Sequence, residues 1–243
     1  MRQLRPASES ADLFALYAHN PSTLRVNVVA SVDGAATLDG RSAGLSGPAD
    51  RRLFHHLRAM CDVVLVGAGT VRVEGYGSVL PSATLQGWRR DHGLSPSPRL
   101  AVASGSLALD SRSEVFRPAA ARPIILTGAH PPAGRVDALS AVAEVVPGGS
   151  AAGWLQVLAE RGLTRVLCEG GPGLFSSLVA EDLVDELCLT LSPLLAAHSG
   201  PGITAGVTPA RALSLVHVLE EDGCLFLRYA RVSGSAGNGG RAG

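Results

Sequence analysis

No run of apolar residues in these 243 positions approaches the roughly 20 that a bilayer-spanning helix needs. The amino terminus, Met1-Arg2-Gln3-Leu4-Arg5-Pro6-Ala7-Ser8-Glu9, also lacks the apolar stretch of a secretory signal. Neither membrane insertion nor export is expected. Charge of one sign is not in excess, with 21 Lys plus Arg against 21 Asp plus Glu. The field of the whole chain therefore gives no reason to expect nucleic acid or an anionic membrane as partner, and any anion site must be local. Cysteine is sparse: Cys61, Cys168, Cys188 and Cys224 lie far apart, form no Cys-x-x-Cys pair, and each sits in or beside an apolar segment. That pattern suits buried thiols in a reducing cytoplasm and no structural metal. His55-His56 is the one histidine pair, and adjacent helical positions diverge by about 100°, so an exposed helix face is expected there. There is no fixed-period repeat, and no full Gly-x-Gly-x-x-Gly signature, which disfavours a standard Rossmann domain.

What is present is enough apolar residue to build a core, 46% against 17% charged, with no convincing linker to split it. One domain over residues 1–232 is expected, followed by a mobile Gly/Ser-rich tail over 233–243 that can build no core. β-branched, apolar runs recur at Val26–Ala30, Val63–Val66, Leu100–Ala103, Ile124–Leu126, Val145-Val146, Val166-Leu167 and Leu187–Leu191. Helical stretches separate several of them. Pro48–Met60 carries a proline at its first turn and Leu53, Leu57 and Met60 at near-helical spacing, and Trp154–Gly162 ends on a capping glycine. This alternation predicts an α/β protein with a central sheet covered by helices on both faces. Ala212–Leu219 and Cys224–Val232 flank Glu220-Glu221-Asp222-Gly223, whose Asp-Gly pair signals a C-terminal antiparallel hairpin. Residues 78–98, rich in Pro, Ser and Gly, read as a loop excursion carrying Trp88, Arg89 and Arg90.

Three strand exits carry the chemistry. Glu169-Gly170-Gly171-Pro172 follows the run Arg165–Cys168 and leads into the amphipathic stretch Gly173–Val179. Glycines let backbone approach an anion, and the free N–H groups of a first helical turn favour it, so a phosphate cradle is one reading. Ser176 and Ser177 would add hydroxyl donors, and Glu169 would face the cleft. The same residues also suit a plain helix cap with two turn glycines and no ligand. Ser31-Val32-Asp33-Gly34 sets a carboxylate at the end of Val26–Ala30, and Gly67-Ala68-Gly69-Thr70-Val71 leaves Val63–Val66 as a second glycine-rich turn. On one sheet edge, the three make a shared dinucleotide cleft the better reading than three unrelated turns.

Together with Leu57-Arg58 and Cys61-Asp62, these motifs resemble, in order and over residues 24–232, the pyrimidine reductase domain of riboflavin biosynthesis. The resemblance implies a dihydrofolate reductase-like fold with a mostly parallel mixed sheet. It also implies NADPH-dependent reduction of 5-amino-6-(5-phosphoribosylamino)uracil to its ribitylamino form. No His-x-Glu with a downstream Pro-Cys-x-x-Cys is present, so a stand-alone reductase is expected rather than a fused deaminase. By the same resemblance, Gly67, Thr70, Glu74 and the loop Gly170-Gly171-Pro172-Gly173-Leu174-Phe175-Ser176-Ser177 hold NADPH. Ala30 and Gly44 line its nicotinamide side, and Ser104 meets the adenosine 2′-phosphate. Asn27, Ser42, Arg58 and Glu169 contact substrate, and Asp33 and Glu169 are the candidate catalytic carboxylates.

The segment after Val71 reads Arg72-Val73-Glu74-Gly75-Tyr76-Gly77-Ser78-Val79-Leu80-Pro81, without the arginine that grips the substrate phosphate in the family. Arg89 or Arg90 is the candidate replacement. Dihydrofolate or another pteridine or pyrimidine substrate stays open as an alternative, as does an NADP-binding module without turnover. A homodimer is expected, with Leu187–Leu195 supplying a sheet edge.

Overall fold

The computed structural model describes residues 1–5, 7–8, 11–77, 79–117, 121–197, 202–206 and 210–232. The strands are β1 (Arg2–Arg5), β2 (Ala7–Ser8), β3 (Thr23–Ser31), β4 (Val63–Gly67), β5 (Arg99–Ala103), β6 (Ile124–Thr127), β7 (Glu144–Pro147), β8 (Arg165–Cys168), β9 (Glu186–Ser192), β10 (Leu213–Glu221) and β11 (Cys224–Arg231). They form one eleven-stranded sheet in the order β2-β1-β10-β11-β9-β3-β8-β4-β5-β6-β7. From β9 across to β7 every neighbouring pair is parallel. The remaining pairs, from β9 through β11 and β10 to β1 and β2, are antiparallel. The expected mixed sheet and C-terminal hairpin are both present. The amino-terminal strands enlarge the antiparallel part without any apolar alternation to announce them: β1 is held between β10 and the edge strand β2.

The helices are α1 (Leu13–Leu16), α2 (Pro48–Ala59), α3 (Ala68–Glu74), α4 (Ala83–Asp91), α5 (Ala133–Ser140), α6 (Ala151–Ala159) and α7 (Pro172–Ala180). Strand alternation sends Val64, Val66, Leu100, Val102 and Leu167 to one face, where they pack with Leu53, Leu57 and Met60 at α2. The opposite set, Val26, Val63, Leu65, Ala101, Val166 and Cys168, meets α6 and α7 through Leu158, Leu174, Phe175 and Leu178. All four cysteines are free and buried. In α2, Pro48 occupies the first turn with Asp50 behind it, and Arg58 lies in the last turn, where a cation suits the helix dipole.

Four expectations need correction. Residues 78–98 are not a bare loop: α4 forms inside them, with the Ser82 side chain accepting from Leu85 N–H as its cap. The helix escaped the apolar pattern because one of its inward side chains is an arginine. Arg89 is fully buried, and its guanidinium donates to the carbonyls of Arg58, Ala59, Cys61 and Ser95 at 3.1, 2.9, 2.7 and 2.6 Å. It closes the end of α2 and so is unavailable to a substrate phosphate. The run 187–195 supplies no edge, since β9 is hydrogen-bonded on both sides, to β11 and to β3. The glycine-rich turn after β4 is instead the start of α3, which opens at Ala68 directly from the strand. The expected tail over 233–243 lies outside the described residues.

Candidate active site at the carboxyl edge of the sheet

After β3 the chain returns two positions away as β4 and proceeds outward to β7, and the gap is filled later by β8. Such a switch in strand order opens a crevice beyond the carboxyl ends of the strands, where ligands of open α/β sheets bind. Ala30, Gly67, Ser104 and Glu169 stand at the ends of β3, β4, β5 and β8 and so share that edge. Two of the exits are hydrogen-bonded to each other: Gly67 N–H donates to Gly170 O and Glu169 N–H to Leu65 O, both at 2.9 Å.

Gly170 and Gly171 have φ of +80° and +52°, a region that favours glycine. A Cβ on Gly171 would sit 2.8 Å from Thr70 Oγ1, so the loop backbone packs directly against the Thr70 side chain at the start of α3. Gly171 gives α7 no side-chain cap and Pro172 fills its first position. Among the described residues the N–H groups of Gly173 and Leu174 are left without a capping side chain, at the positive end of the helix dipole. Leu174 and Phe175 bury their side chains in the core and offer the edge only backbone. Ser176 and Ser177 offer less than expected. Ser176 Oγ is taken up by Ala205, donating to its carbonyl at 2.6 Å and accepting from its N–H at 2.8 Å, while Ser177 donates to Gly173 O. Ser104 is buried, as is Thr127 at the end of neighbouring β6, and neither hydroxyl has a hydrogen-bond partner among the described residues. The sequence had not singled out Thr127.

Beside the glycine loop lies a compact polar cluster. Arg58 at the end of α2 meets Glu169 through two hydrogen bonds, Nε to Oε1 and Nη2 to Oε2, each 2.6 Å. Nη2 also donates to the Tyr76 hydroxyl at 2.5 Å, and that hydroxyl donates to Glu169 Oε2. The Phe54 ring, one turn back on α2, lies 4.0 Å from the guanidinium carbon. Burial works against charge on Arg58, but the Glu169 carboxylate wins and holds its pKa above the usual arginine value. Burial, followed by the Glu169 charge, pushes the Tyr76 phenol well above its usual range. Tyr76 and Phe54 are site residues that sequence reading missed. Phe54 carried a usable signal, its four-residue spacing from Arg58 on one helix face.

The other expected residues fall around these two groups. Glu74 Oε1 accepts from Ser42 N–H at 2.7 Å, which joins the end of α3 to the short turn Ser42–Leu45. A Cβ on Gly44 would lie 3.0 Å from Leu38 Cβ, so that turn packs tightly on its own loop. Ala30 is buried near the end of β3. Asn27 is offset by one from Val26, the partner of Cys168, so it leaves β3 on the face that Glu169 takes from β8, with Oδ1 unpartnered among the described residues. Asp33 is placed differently from expectation. Its carboxylate accepts from the Ser31 hydroxyl and from the N–H groups of Ala196 and Ala197, the latter two at 3.1 and 2.9 Å. Those bonds, the Ser31 one foremost, pull its pKa down to about 2. Asp33 thus anchors the loop after β9 as a carboxylate, whereas Glu169 is engaged by Arg58 and Tyr76.

Comparison with known proteins adds the following. The sequence matches the RibD C-terminal domain family over residues 22–222. An Archaeoglobus fulgidus protein named 2,5-diamino-6-ribosylamino-4(3H)-pyrimidinone 5′-phosphate reductase is 30% identical over 174 residues, which is 70% of this chain and 79% of that one. A pyrimidine reductase-like protein from Corynebacterium diphtheriae superposes with a TM-score of 0.82 at 26% identity, covering 93% of this chain and 97% of its own. Dihydrofolate reductase from Enterococcus faecalis, solved with NADP(H), shares the fold at a TM-score of 0.53 and 13% identity, over 88% of this chain and 98% of its own.

Proposed function

The chain belongs to the RibD C-terminal domain family, and from that premise we propose that it is the NADPH-dependent pyrimidine reductase of riboflavin synthesis. Its substrate is 5-amino-6-(5-phosphoribosylamino)uracil or the 2,5-diamino counterpart named for its relative, and its product carries a ribityl chain in place of the ribose. The observation that carries the reading is adjacency. The glycine-lined start of α7 and the Arg58–Glu169 pair open on one sheet edge, Glu169 and Gly170 being consecutive residues.

The residues fit a nicotinamide dinucleotide. A cradle that a Cβ at Gly171 would fill, uncapped N–H groups at Gly173 and Leu174, and the buried hydroxyls of Ser104 and Thr127 are what a phosphorylated, sugar-rich ligand requires. When bound, NADPH supplies the hydride. The first turn of α7, with Gly67, Thr70 and Gly170 closing around it, binds phosphate through backbone. Ser104 is assigned to the adenosine end, and Ala30 and Gly44 to the nicotinamide end, with Glu74 holding the Ser42 turn against α3. Arg58, Glu169, Asn27 and Ser42 bind and orient the pyrimidine ribosylamine so that its sugar carbon faces the donor. Asp33 holds the loop after β9 in place. A homodimer is part of the proposal and joins through a surface other than β9's edge; a monomer in sedimentation at micromolar concentration would remove that part.

The test is NADPH oxidation followed at 340 nm, with the two pyrimidines and dihydrofolate offered separately. Turnover of a pyrimidine is the expected result. Turnover of dihydrofolate alone would reassign the substrate, and NADPH binding without any turnover would leave a binding module.

A further inference from the structure

The hydrogen bonds around Arg58 close into a ring. Nη2 donates to Glu169 Oε2 and to the Tyr76 hydroxyl, the hydroxyl donates to the same Oε2, and Nε occupies Oε1. Phe54 covers the guanidinium at 4.0 Å, and the Tyr76 ring centre lies 5.3 Å from its central carbon. The phenol is delivered there by the chain's own geometry: α3 ends on Gly75 in the left-handed region at φ +64°, and Tyr76 N–H returns to Val71 O at 3.2 Å. An arginine carries five N–H donors. Among the described residues only the two on Nη1 have no partner.

This arrangement decides what Arg58 can hold. The fork that grips phosphate is a pair of parallel N–H groups on two nitrogens, and both Nε and Nη2 are already spent. A phosphate arriving at Nη1 would also approach a cation that the Glu169 carboxylate, bound along the Nε/Nη2 edge of the same guanidinium, already neutralises, and the two negative charges repel across it. We propose that Tyr76 is a positioning residue that locks Arg58 and Glu169 into an electrically neutral pair. The locked pair selects an uncharged oxygen of the substrate, a sugar hydroxyl or a ring carbonyl, and excludes an anion. This rests on the reductase reading given above and names the chemistry of the same site.

Tyr76→Phe keeps the ring and removes only the hydroxyl. Losing a hydrogen bond to a charged group raises KM for the pyrimidine roughly tenfold, with kcat falling less than about threefold. Freed Nη2 then accepts an anion, so inorganic phosphate becomes a competitive inhibitor of the variant at concentrations that leave the natural protein unaffected. Unchanged KM together with equal phosphate sensitivity in both proteins would overturn the proposal. If no pyrimidine is turned over by the natural protein, the reductase reading fails separately, and calorimetric titration with inorganic phosphate still decides. Uptake by Tyr76→Phe alone supports the lock, and equal uptake by both removes it. Should Tyr76→Phe not fold, Glu169→Gln serves in that titration: it removes the repelling charge and must take up phosphate more tightly, and an unchanged affinity would refute the lock.

Discussion

Replacing Gly171 with alanine tests whether the close approach between the glycine loop and α3 is a requirement of the site. The substitution carries two costs. At φ +52° and ψ 140° an L side chain occupies a strained region, worth about 1–3 kcal/mol. The added Cβ also lies 2.8 Å from Thr70 Oγ1, which forces that hydroxyl or the loop to move. For a chain of this size each kcal/mol shifts the melting temperature by about 2–4 °C, so a fall of roughly 2–12 °C is expected. NADPH affinity, followed by the cofactor's fluorescence, falls by at least about tenfold, because the displaced groups border the proposed phosphate cradle. Gly173→Ala is the control. Its Cβ meets nothing within 4 Å, and inside a helix alanine is favoured over glycine, so that variant melts no lower than the natural protein. Adding Thr70→Ala to Gly171→Ala relieves the contact but leaves the strain, and restores part of the melting temperature. The reasoning is refuted if Gly171→Ala melts and binds NADPH like the natural protein, or if Gly173→Ala is equally damaging.

Acid sensitivity is expected to begin well above the carboxylate range. Burial lowers His19 to about 3 and His217 to about 4, with nearby arginines adding to the effect. Both are therefore neutral in the folded state at pH values where the unfolded chain binds their protons. Stability is full above pH about 6.5 and falls by about 1.4 kcal/mol per pH unit for each histidine as pH drops toward those depressed values. Urea unfolding at pH 7 and 5 measures it; a His217→Leu variant has a shallower slope, and an unchanged slope contradicts the assignment. Arg89 gives a second prediction. Lysine lacks the fork that reaches the carbonyls of Arg58, Ala59, Cys61 and Ser95, so Arg89→Lys loses on the order of 3 kcal/mol in chemical unfolding. An Arg89→Lys protein as stable as the natural one would show that this end of α2 is held by something else.

How far the sequence reaches depends on how local the governing physics is. Glu169-Gly170-Gly171-Pro172 was readable because its devices are short-range: glycines at positive φ and a proline in the first turn of α7. The strands from β3 to β9 were readable because each carries an apolar run, whereas β1 and β2 carry none. Tyr76 was not, since it is one aromatic residue after a helix-ending glycine, and its role depends on Arg58 and Glu169, 18 and 93 residues away. Arg89 misled for a related reason. A buried arginine that caps a helix satisfies carbonyls through tertiary contact, and in a linear reading it looks like a solvent-facing charge. The motif Ser31-Val32-Asp33-Gly34 was placed correctly at a strand end, yet what the carboxylate does there follows from Ala196 and Ala197, beyond the next strand in the sheet. The position of β9 between β3 and β11 likewise follows from pairing order, which no single run encodes.

The central claim is that the glycine-lined cradle holds the cofactor and Glu169, with Arg58, holds the substrate. Glu169→Gln separates the two most directly, because it removes one charge next to Gly170 while preserving side-chain size. NADPH affinity and pyrimidine-dependent NADPH oxidation should be measured on the same preparation. The account predicts that oxidation is abolished while NADPH affinity stays within about twofold of the natural protein. Retained turnover, or loss of cofactor binding in step with turnover, would contradict it.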